Sequence, residues 1–467
     1  MKRLVNHATK KNSGGKMGLR VVSPFVVLLV ALPLFAAGPS FAHESHESHE
    51  SSGKGTSKEG AAPEKPSDPL QFGPVKLGLD SLVRPEAATD FSLGSFSFTP
   101  GNDEQRILFR IRPSVTVSPS ENLSARVEGQ WYAFYDDTDS SIFSLYQGYV
   151  EAALPGGKGV SLKAGRQEFV YGSTFLLGAD TFFDGLTFDA AKLTLKPSDK
   201  LSVDLLGGQY VKKWAGDIEG KLYGIYAAWS SRETLSVDLY GFRDTGGPGA
   251  THVGGDHEVT YSVGTRINGR IREKVAYEVE PVYQFGRKNV DGATHNDISA
   301  FGGHADLTVD APLGRFTGKL FLSYGFGSGD GSPDEGTFTE FHNPNNDTSL
   351  IGDMSVIGDL SGLTVTDPAG NDVTASGLHV LTAGAGVDVT EKLNVSLDAH
   401  YFRAVKVPAG VGKEIGIETN LIVTYRIKES ISVLLSGNRF FTGEFFEDAA
   451  GSDRDVNYVY AQLQATF

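Results

Sequence analysis

The chain has 467 residues, no cysteine, 57 glycines and a formal net charge of −15 at pH 7. Without cysteine, neither a disulfide framework nor a thiolate metal site is possible. The acidic balance and a secretory leader argue against nucleic-acid binding. The Gly384-Ala385-Gly386 run lies in a strand pattern rather than before a helix, so a phosphate loop is excluded and no cofactor is predicted.

Residues 1–42 have the pattern of a cleaved secretory signal. Met1 to Arg20 carries six Lys or Arg and no acidic residue, and Val21 to Ala37 is apolar. Ser40-Phe41-Ala42 places small residues where a signal peptidase cuts, so cleavage after Ala42 is expected. A single transmembrane anchor is the alternative, but Pro24 and Pro33 interrupt the apolar run.

Residues 43–70 lack hydrophobic periodicity and are rich in Ser, Gly, Glu, Lys, Pro and His. Such a composition cannot bury a core, so a disordered periplasmic lead-in is predicted. Its first residues include His43, His46 and His49, separated by glutamates. This spacing permits a weak divalent metal site, while a solvated tail is the alternative.

Eight short polar turns divide the rest of the chain, and each is followed by alternating apolar and polar residues. The residues that restart the alternation are Leu123, Val160, Leu201, Leu235, Val275, Phe316, Leu393 and Ile431. All intervals but one are 34 to 41 residues, which fits two strands, a tight turn and a longer loop. Residues 71–467 are therefore predicted to form an all-β transmembrane antiparallel barrel of about eighteen strands. Its first strand is expected near Phe91 to Phe98.

Strand alternation separates an apolar face for lipid from a charged face for the lumen. Because an arginine facing lipid near the midplane costs about 2 to 4 kcal/mol, the register is strongly fixed. The predicted lumen residues are Arg106, Arg110, Arg112, Arg126, Arg266, Arg270 and Arg426, with Glu128, Asp204, Asp238, Glu278, Glu280, Asp398 and Glu418. Two interpretations remain open: a salt-bridged wall that stiffens the barrel, or an arginine ladder that draws anionic solutes through a constriction.

A family resemblance is visible at Gly165-Arg166-Gln167-Glu168-Phe169, followed by Tyr171-Gly172, Phe175-Leu176-Leu177-Gly178 and Phe183-Asp184-Gly185-Leu186. A second motif is Tyr324-Gly325-Phe326-Gly327-Ser328-Gly329-Asp330, followed by Gly336-Thr337-Phe338. Together they resemble the alginate export family. The resemblance implies an eighteen-stranded outer-membrane barrel that passes an anionic polysaccharide or similar solute.

The chain departs from this family at two positions. Phe175 stands where the family often has arginine after Tyr-Gly. Arg166 is predicted to line the pore if a bulge at Gly165 turns it inward, whereas strict alternation places it on the outer face.

The one long interval must contain a large extracellular loop, from about residue 327 to 377. Long loops in compact folds are functional lids or disordered segments. Its apolar residues favour packing into or over the barrel mouth: Phe338, Phe341, Leu350, Ile351, Met354, Val356, Ile357 and Leu360.

The final strand alternates and ends on Phe467, which is similar to the last strand of bacterial outer-membrane proteins. We therefore expect a passive outer-membrane channel of a Gram-negative-type bacterium, not an enzyme, since His304, His379 and His400 lack a local catalytic motif. The expected partners are the lipid bilayer, the barrel assembly machinery through Phe467, and an anionic saccharide or small solute. A general or metal-linked porin, or a structural or adhesive barrel, is the alternative.

Overall fold

The computed structural model describes residues 70–135, 140–154, 159–211, 220–232, 234–245, 258–272, 274–289, 295–332, 336–354 and 356–467. The predicted signal, the lead-in and its three histidines lie outside the described residues. No helix in the described part of the chain is long and apolar enough to cross a membrane.

The described residues form eighteen barrel strands, which are numbered in chain order. They are β1 (Val75–Ser92), β2 (Ser97–Ser120), β3 (Leu123–Tyr135), β4 (Ser140–Ala153), β5 (Val160–Gln167), β6 (Phe188–Ser198), β7 (Leu201–Tyr210), β8 (Lys221–Arg232), β9 (Leu235–Asp244), β10 (Val259–Ile271), β11 (Val275–Asn289), β12 (His295–Leu313), β13 (Phe316–Gly327), β14 (Asp372–Asp388), β15 (Leu393–Lys406), β16 (Glu414–Lys428), β17 (Ile431–Thr442) and β18 (Val456–Thr466). Two short strands, Gln71–Phe72 and Gly362–Thr366, pair with β1 and β14, and a short helix spans Glu444–Ala450.

The barrel closes because every strand pairs antiparallel with its neighbour in sequence and β1 pairs with β18. Beyond the last strand, the backbone of Phe467 exchanges two hydrogen bonds with Leu79, at 2.9 and 3.1 Å. A closed sheet leaves no strand edge unpaired. A sheet in the bilayer must be closed in this way because lipid cannot hydrogen-bond to exposed backbone groups. The predicted all-β barrel of eighteen strands is confirmed.

The strand starts agree closely with the sequence pattern. All eight residues predicted to restart the alternation are the first residues of strands. The expectation for the first strand was wrong, because β1 begins at Val75 and residues 93–96 form the turn to β2. The sequence of β1 lacks a clear alternation of apolar and polar residues. Leu82 points inward beside Arg84, while Ser81 and Pro85 lie on the opposite face.

Alternate exposure confirms the predicted faces of the strands. In β2, Ile107 and Ile111 are each 37% exposed on the outer surface, whereas Arg106 and Arg110 are only 5% and 3% exposed. In β16, Leu421 is exposed and its neighbour Asn420 is buried. The outer surface is therefore apolar and suited to lipid, and the polar side chains face the lumen.

Two loops fold into the barrel, and we name them the short inward loop (residues 168–187) and the long inward loop (residues 328–371). The eight apolar residues predicted to pack at the mouth are all buried, and they belong to one cluster with inward-facing strand residues such as Val380 and Phe402. The main apolar core of the described structure thus lies inside the barrel. Hydrophobic burial therefore favours the inward position of these loops.

Candidate functional site: the loop-filled lumen

Four arginines on β1 and β2 form one side of the lumen, and we call Arg84, Arg106, Arg110 and Arg112 the arginine wall. Three of them donate to backbone carbonyls at the tip of the short inward loop. The bonds are Arg84 to Phe182 (2.9 Å), Arg110 to Thr181 (2.6 Å) and Phe183 (3.0 Å), and Arg112 to Asp184 (3.3 Å). Charged donors make the stronger protein hydrogen bonds. The arginine wall therefore docks the loop.

The arginine wall also pairs with neighbouring wall residues. Arg106 contacts Glu86 at 2.5 Å, Arg110 contacts Asp80 at 3.0 Å, and Arg112 donates to Gln130 at 2.6 Å. The Arg84 guanidinium, which is fully buried, also stacks 3.6 Å from the centre of the Phe182 ring. The predicted Arg106, Arg110 and Arg112 are thus brought together, but as buried structural groups, which matches the salt-bridged interpretation.

Glycine at position 185 allows this docking. Gly185 has a φ of +80°, and an added Cβ would lie 2.7 Å from Arg112 Nη2. A larger residue would be strained in the backbone and would push against the arginine wall. The presence of glycine at position 185 in the first family-like motif therefore has a steric explanation. The first motif covers the end of β5 and the short inward loop, and the second covers the end of β13 and part of the long inward loop.

The long inward loop is fixed to the lumen wall by one buried carboxylate. Glu418 on β16 is 1% exposed and accepts hydrogen bonds from the backbone N–H groups of Asp353 (2.6 Å) and Met354 (3.0 Å). Asp353 in turn accepts hydrogen bonds from Ser436 and Tyr460. Burial raises the pKa of Asp353 despite these hydrogen bonds.

The long inward loop also contains an ion pair. His342 Nε2 lies 2.8 Å from Glu340 Oε1, and His342 Nδ1 lies 3.9 Å from Asp359. Burial lowers the pKa of His342, but the Glu340 hydrogen bond and the two negative charges outweigh it, so the pKa is raised. For Glu340, burial raises the pKa, and the bonds to His342 and Ser376 outweigh that effect and lower it.

This ion pair makes the stability of the long inward loop dependent on pH. Because the His342 pKa is raised, its stabilising charge is complete below about pH 6.5 and is lost as pH rises through the higher folded value. The lowered Glu340 pKa gives a contribution that is present above about pH 4.3 and lost only in stronger acid. We expect hydrogen exchange of residues 336–354 to quicken severalfold from about pH 6 to about pH 9, after correction for intrinsic rates.

The matched control for this measurement is His342→Gln, which keeps a hydrogen-bond donor but has no titrating charge. It should exchange with little pH dependence over the same interval. An unchanged pH dependence in the variant would assign the effect to another group.

The third feature of the lumen is a cluster of acids around Arg266 on β10. Arg266 contacts Asp238 at 3.1 Å and Glu278 at 2.5 Å. Glu280, whose side chain is buried, accepts hydrogen bonds from Tyr240 and from Ser173 of the short inward loop, each at 2.6 Å. The predicted residues Arg266, Glu278 and Glu280 are brought together here. The sequence did not single out Ser173, which reaches them only because its loop folds inward.

A partly exposed basic row crosses four neighbouring strands, β3 to β6, and consists of Arg126, Lys163 and Lys192. The Arg126 and Lys192 side chains are 29% and 28% exposed. Lys163 lies 3.7 Å from the centre of the Tyr149 ring, and Tyr149 pairs in register with Arg126. Arg126 also pairs with Glu128 at 3.2 Å. Unlike the arginine wall, this basic row remains in contact with the water of the lumen.

The remaining predicted arginines lie elsewhere. Arg270 and Arg426 face inward near the short-turn ends of their strands and are exposed, and Arg270 pairs with Asp310. Arg166 lies on the outer face and forms an ion pair with Asp189 at 2.8 Å near the long-loop end of β5. The structure therefore does not place Arg166 with the lumen arginines. The strict alternation of β5 is maintained through Gly165, so a bulge does not turn Arg166 inward.

Comparison with known proteins gives one family and a common fold. A family model described as alginate export matches residues 74–460. No curated protein sequence matches the chain. Among solved structures, Pseudomonas aeruginosa OpdQ has a TM-score of 0.58 at 12% identity, covering 85% of this chain and 99% of that one. The outer membrane protein OprD from the same organism has a TM-score of 0.53 at 14% identity, covering 84% of this chain and 93% of OprD. These likenesses show a shared fold.

Proposed function

Because the chain belongs to the alginate export family of outer-membrane β-barrel channels, we propose that it passes anionic saccharides or similar anionic solutes passively across the outer membrane. The observation that carries this proposal is the basic row. Rings and rows of Lys and Arg favour anions in membrane pores. The row faces lumen water, so a solute can meet its charges without displacing an inward loop.

Aromatic rings beside the basic row suit a saccharide better than a simple ion. Tyr149 lies against Lys163, and Tyr171 of the short inward loop lies with its ring centre 6.0 Å from Lys192 Nζ. The flat faces of such rings pack against apolar C–H groups while the charges attract carboxylates. A uronate residue presents both kinds of group. The proposed path therefore passes the basic row below the short inward loop.

The charge-reversing substitution Lys163→Glu tests this proposal. Reversing one charge about 6 Å from a monovalent ion changes their interaction by about 1.4 kcal/mol in a water-like dielectric. We expect the unmodified channel to prefer anions and the variant to lose about tenfold of that preference, measured as reversal potentials in a salt gradient across planar bilayers.

The matched control is Lys200→Glu, which makes the same charge change in an exposed turn after β6. It should leave the selectivity close to that of the unmodified channel. Cation preference in the unmodified channel would contradict the proposal. Equal passage of neutral and uronate oligosaccharides would favour the alternative of a general porin. The acid cluster around Arg266 supports this alternative because it gives the lumen wall mixed charge. Absence of current after removal of both inward loops would indicate a structural or adhesive barrel.

We also propose that the C-terminal strand is the segment that the barrel assembly machinery recognises. The Phe467 side chain is 50% exposed while its backbone closes the barrel against Leu79. An exposed aromatic side chain beside β1 and β18 could be bound by the assembly machinery before these two strands pair and close the barrel.

A further inference from the structure

Three potential metal ligands lie on adjacent strands of the lumen wall, next to the short inward loop. Glu278 and Glu280 are on β11, His304 is on β12, and Glu280 pairs in register with His304. We propose that these three side chains bind a divalent cation that accepts nitrogen and oxygen ligands in tetrahedral geometry, as Zn²⁺ does. This site is independent of the His43 to His49 tract and of the solute path proposed above.

The spacing of the ligand atoms fits a tetrahedral ion. His304 Nε2 lies 3.4 Å from Glu280 Oε2 and 3.7 Å from Glu278 Oε1, and one ligand atom from each residue lies within 4.8 Å of the other two. Nitrogen and oxygen ligands of Zn²⁺ lie about 2.0 to 2.2 Å from the metal, so neighbouring ligands of a tetrahedral ion are about 3.4 Å apart. The three side chains need little movement to coordinate an ion between them.

The surroundings orient these ligands as second-sphere groups do at metal sites. His304 Nδ1 lies 2.7 Å from Asp306 Oδ2, which leaves Nε2 directed at the two glutamates. A carboxylate on the far nitrogen of a ligating histidine fixes the ring and its tautomer. Tyr240 fixes Glu280 by donating to its other oxygen, Oε1, at 2.6 Å.

One acceptor in the cluster has no hydrogen-bond partner. This acceptor is Glu278 Oε1, which is inaccessible to solvent, whereas Glu278 Oε2 accepts a hydrogen bond from Arg266. A buried carboxylate oxygen without a donor is costly. Arg266 also neutralises Asp238, so its single charge does not balance the nearby carboxylates. A divalent cation between the three side chains supplies the missing contact to Glu278 Oε1.

The fourth coordination position lies toward the short inward loop. Ser173 Oγ is 3.1 Å from His304 Nε2 and 2.6 Å from Glu280 Oε2. A serine hydroxyl or a water in this place would complete the tetrahedron. The bound ion would then tie the short inward loop to the wall formed by β11 and β12.

The test measures Zn²⁺ binding by the folded full-length chain in detergent, with His43, His46 and His49 replaced by alanine to remove the other candidate site. We expect one tightly bound Zn²⁺ per barrel, with Glu278→Gln and His304→Ala each weakening binding at least about tenfold. Asp306→Asn should weaken binding about tenfold to a hundredfold, as loss of an outer-sphere partner does. His379→Ala removes a histidine on the outer face and should have no effect.

Co²⁺ spectroscopy provides an independent measurement that does not depend on the variants folding. In the same background, Co²⁺ bound by the proposed ligands should give the intense visible absorption of a tetrahedral complex. An octahedral spectrum, or Zn²⁺ affinity unchanged in Glu278→Gln and His304→Ala, would overturn the proposal.

Discussion

Replacing Arg110 with alanine is expected to release the tip of the short inward loop and enlarge the channel. Arg110 donates to the carbonyls of Thr181 and Phe183 and pairs with Asp80 in a buried setting. The substitution leaves two loop carbonyls without their charged donor, and each lost hydrogen bond to a charged group costs about 1.5 to 3 kcal/mol. We expect a loss of that size in the free energy of unfolding in lipid vesicles, together with a higher single-channel conductance.

Two further variants separate docking from charge. Arg110→Lys keeps the charge opposite Asp80 but lacks the guanidinium fork, so its loss should be intermediate. Arg270→Ala removes another inward-facing arginine that pairs with an acid, Asp310, but is half exposed. Exposed pairs contribute about 0 to 1 kcal/mol. Equal effects of Arg110→Ala and Arg270→Ala would refute the docking role of the arginine wall.

Replacing Glu418 with alanine is expected to detach the long inward loop. The carboxylate is the acceptor for two consecutive backbone N–H groups, those of Asp353 and Met354. Each of the two freed N–H donors would remain buried without a partner, and an unsatisfied buried donor costs about 1 to 3 kcal/mol. We expect faster hydrogen exchange at residues 350–354, larger current fluctuations and a loss of about 3 kcal/mol or more in the free energy of unfolding.

The comparison variants for Glu418 are Glu418→Gln and Glu447→Ala. Glutamine retains an oxygen acceptor, so it should preserve most of the attachment. Glu447 is exposed on the short helix, and its loss should leave the loop unchanged. If Glu418→Ala shows the exchange rates of Glu447→Ala, the apolar contacts alone hold the loop.

The barrel could be predicted from sequence because strand alternation has a fixed period of two and each short turn resets it. Leu123, Leu201 and Ile431 begin strands as predicted, since the turn residues before them leave few other registers. The sequence pattern predicts β1 too late in the chain because Arg84 and Leu82 share one face and Pro85 lies on the other. A strand with mixed faces carries no clear pattern.

The lumen could be predicted only in part. The inward direction of Arg110 and Glu280 follows from alternation, but their partners lie 71 and 107 positions away in sequence, in loops without periodicity. The burial of Phe341 and Leu360 was predictable because large apolar side chains avoid water. The position of the short inward loop over the arginine wall could not be predicted. Its tip is held through backbone carbonyls, and these have no signature in the sequence.

The apolar core inside the barrel has a thermal consequence. Parting the two inward loops exposes residues such as Phe341 and Leu360 to water, and such exposure increases heat capacity. Hydrophobic cohesion weakens on cooling, so the inward position of the loops loses part of its advantage in the cold. A lumen narrowed by apolar contacts thus becomes more permissive as temperature falls, opposite to the slowing that viscosity alone imposes on diffusion.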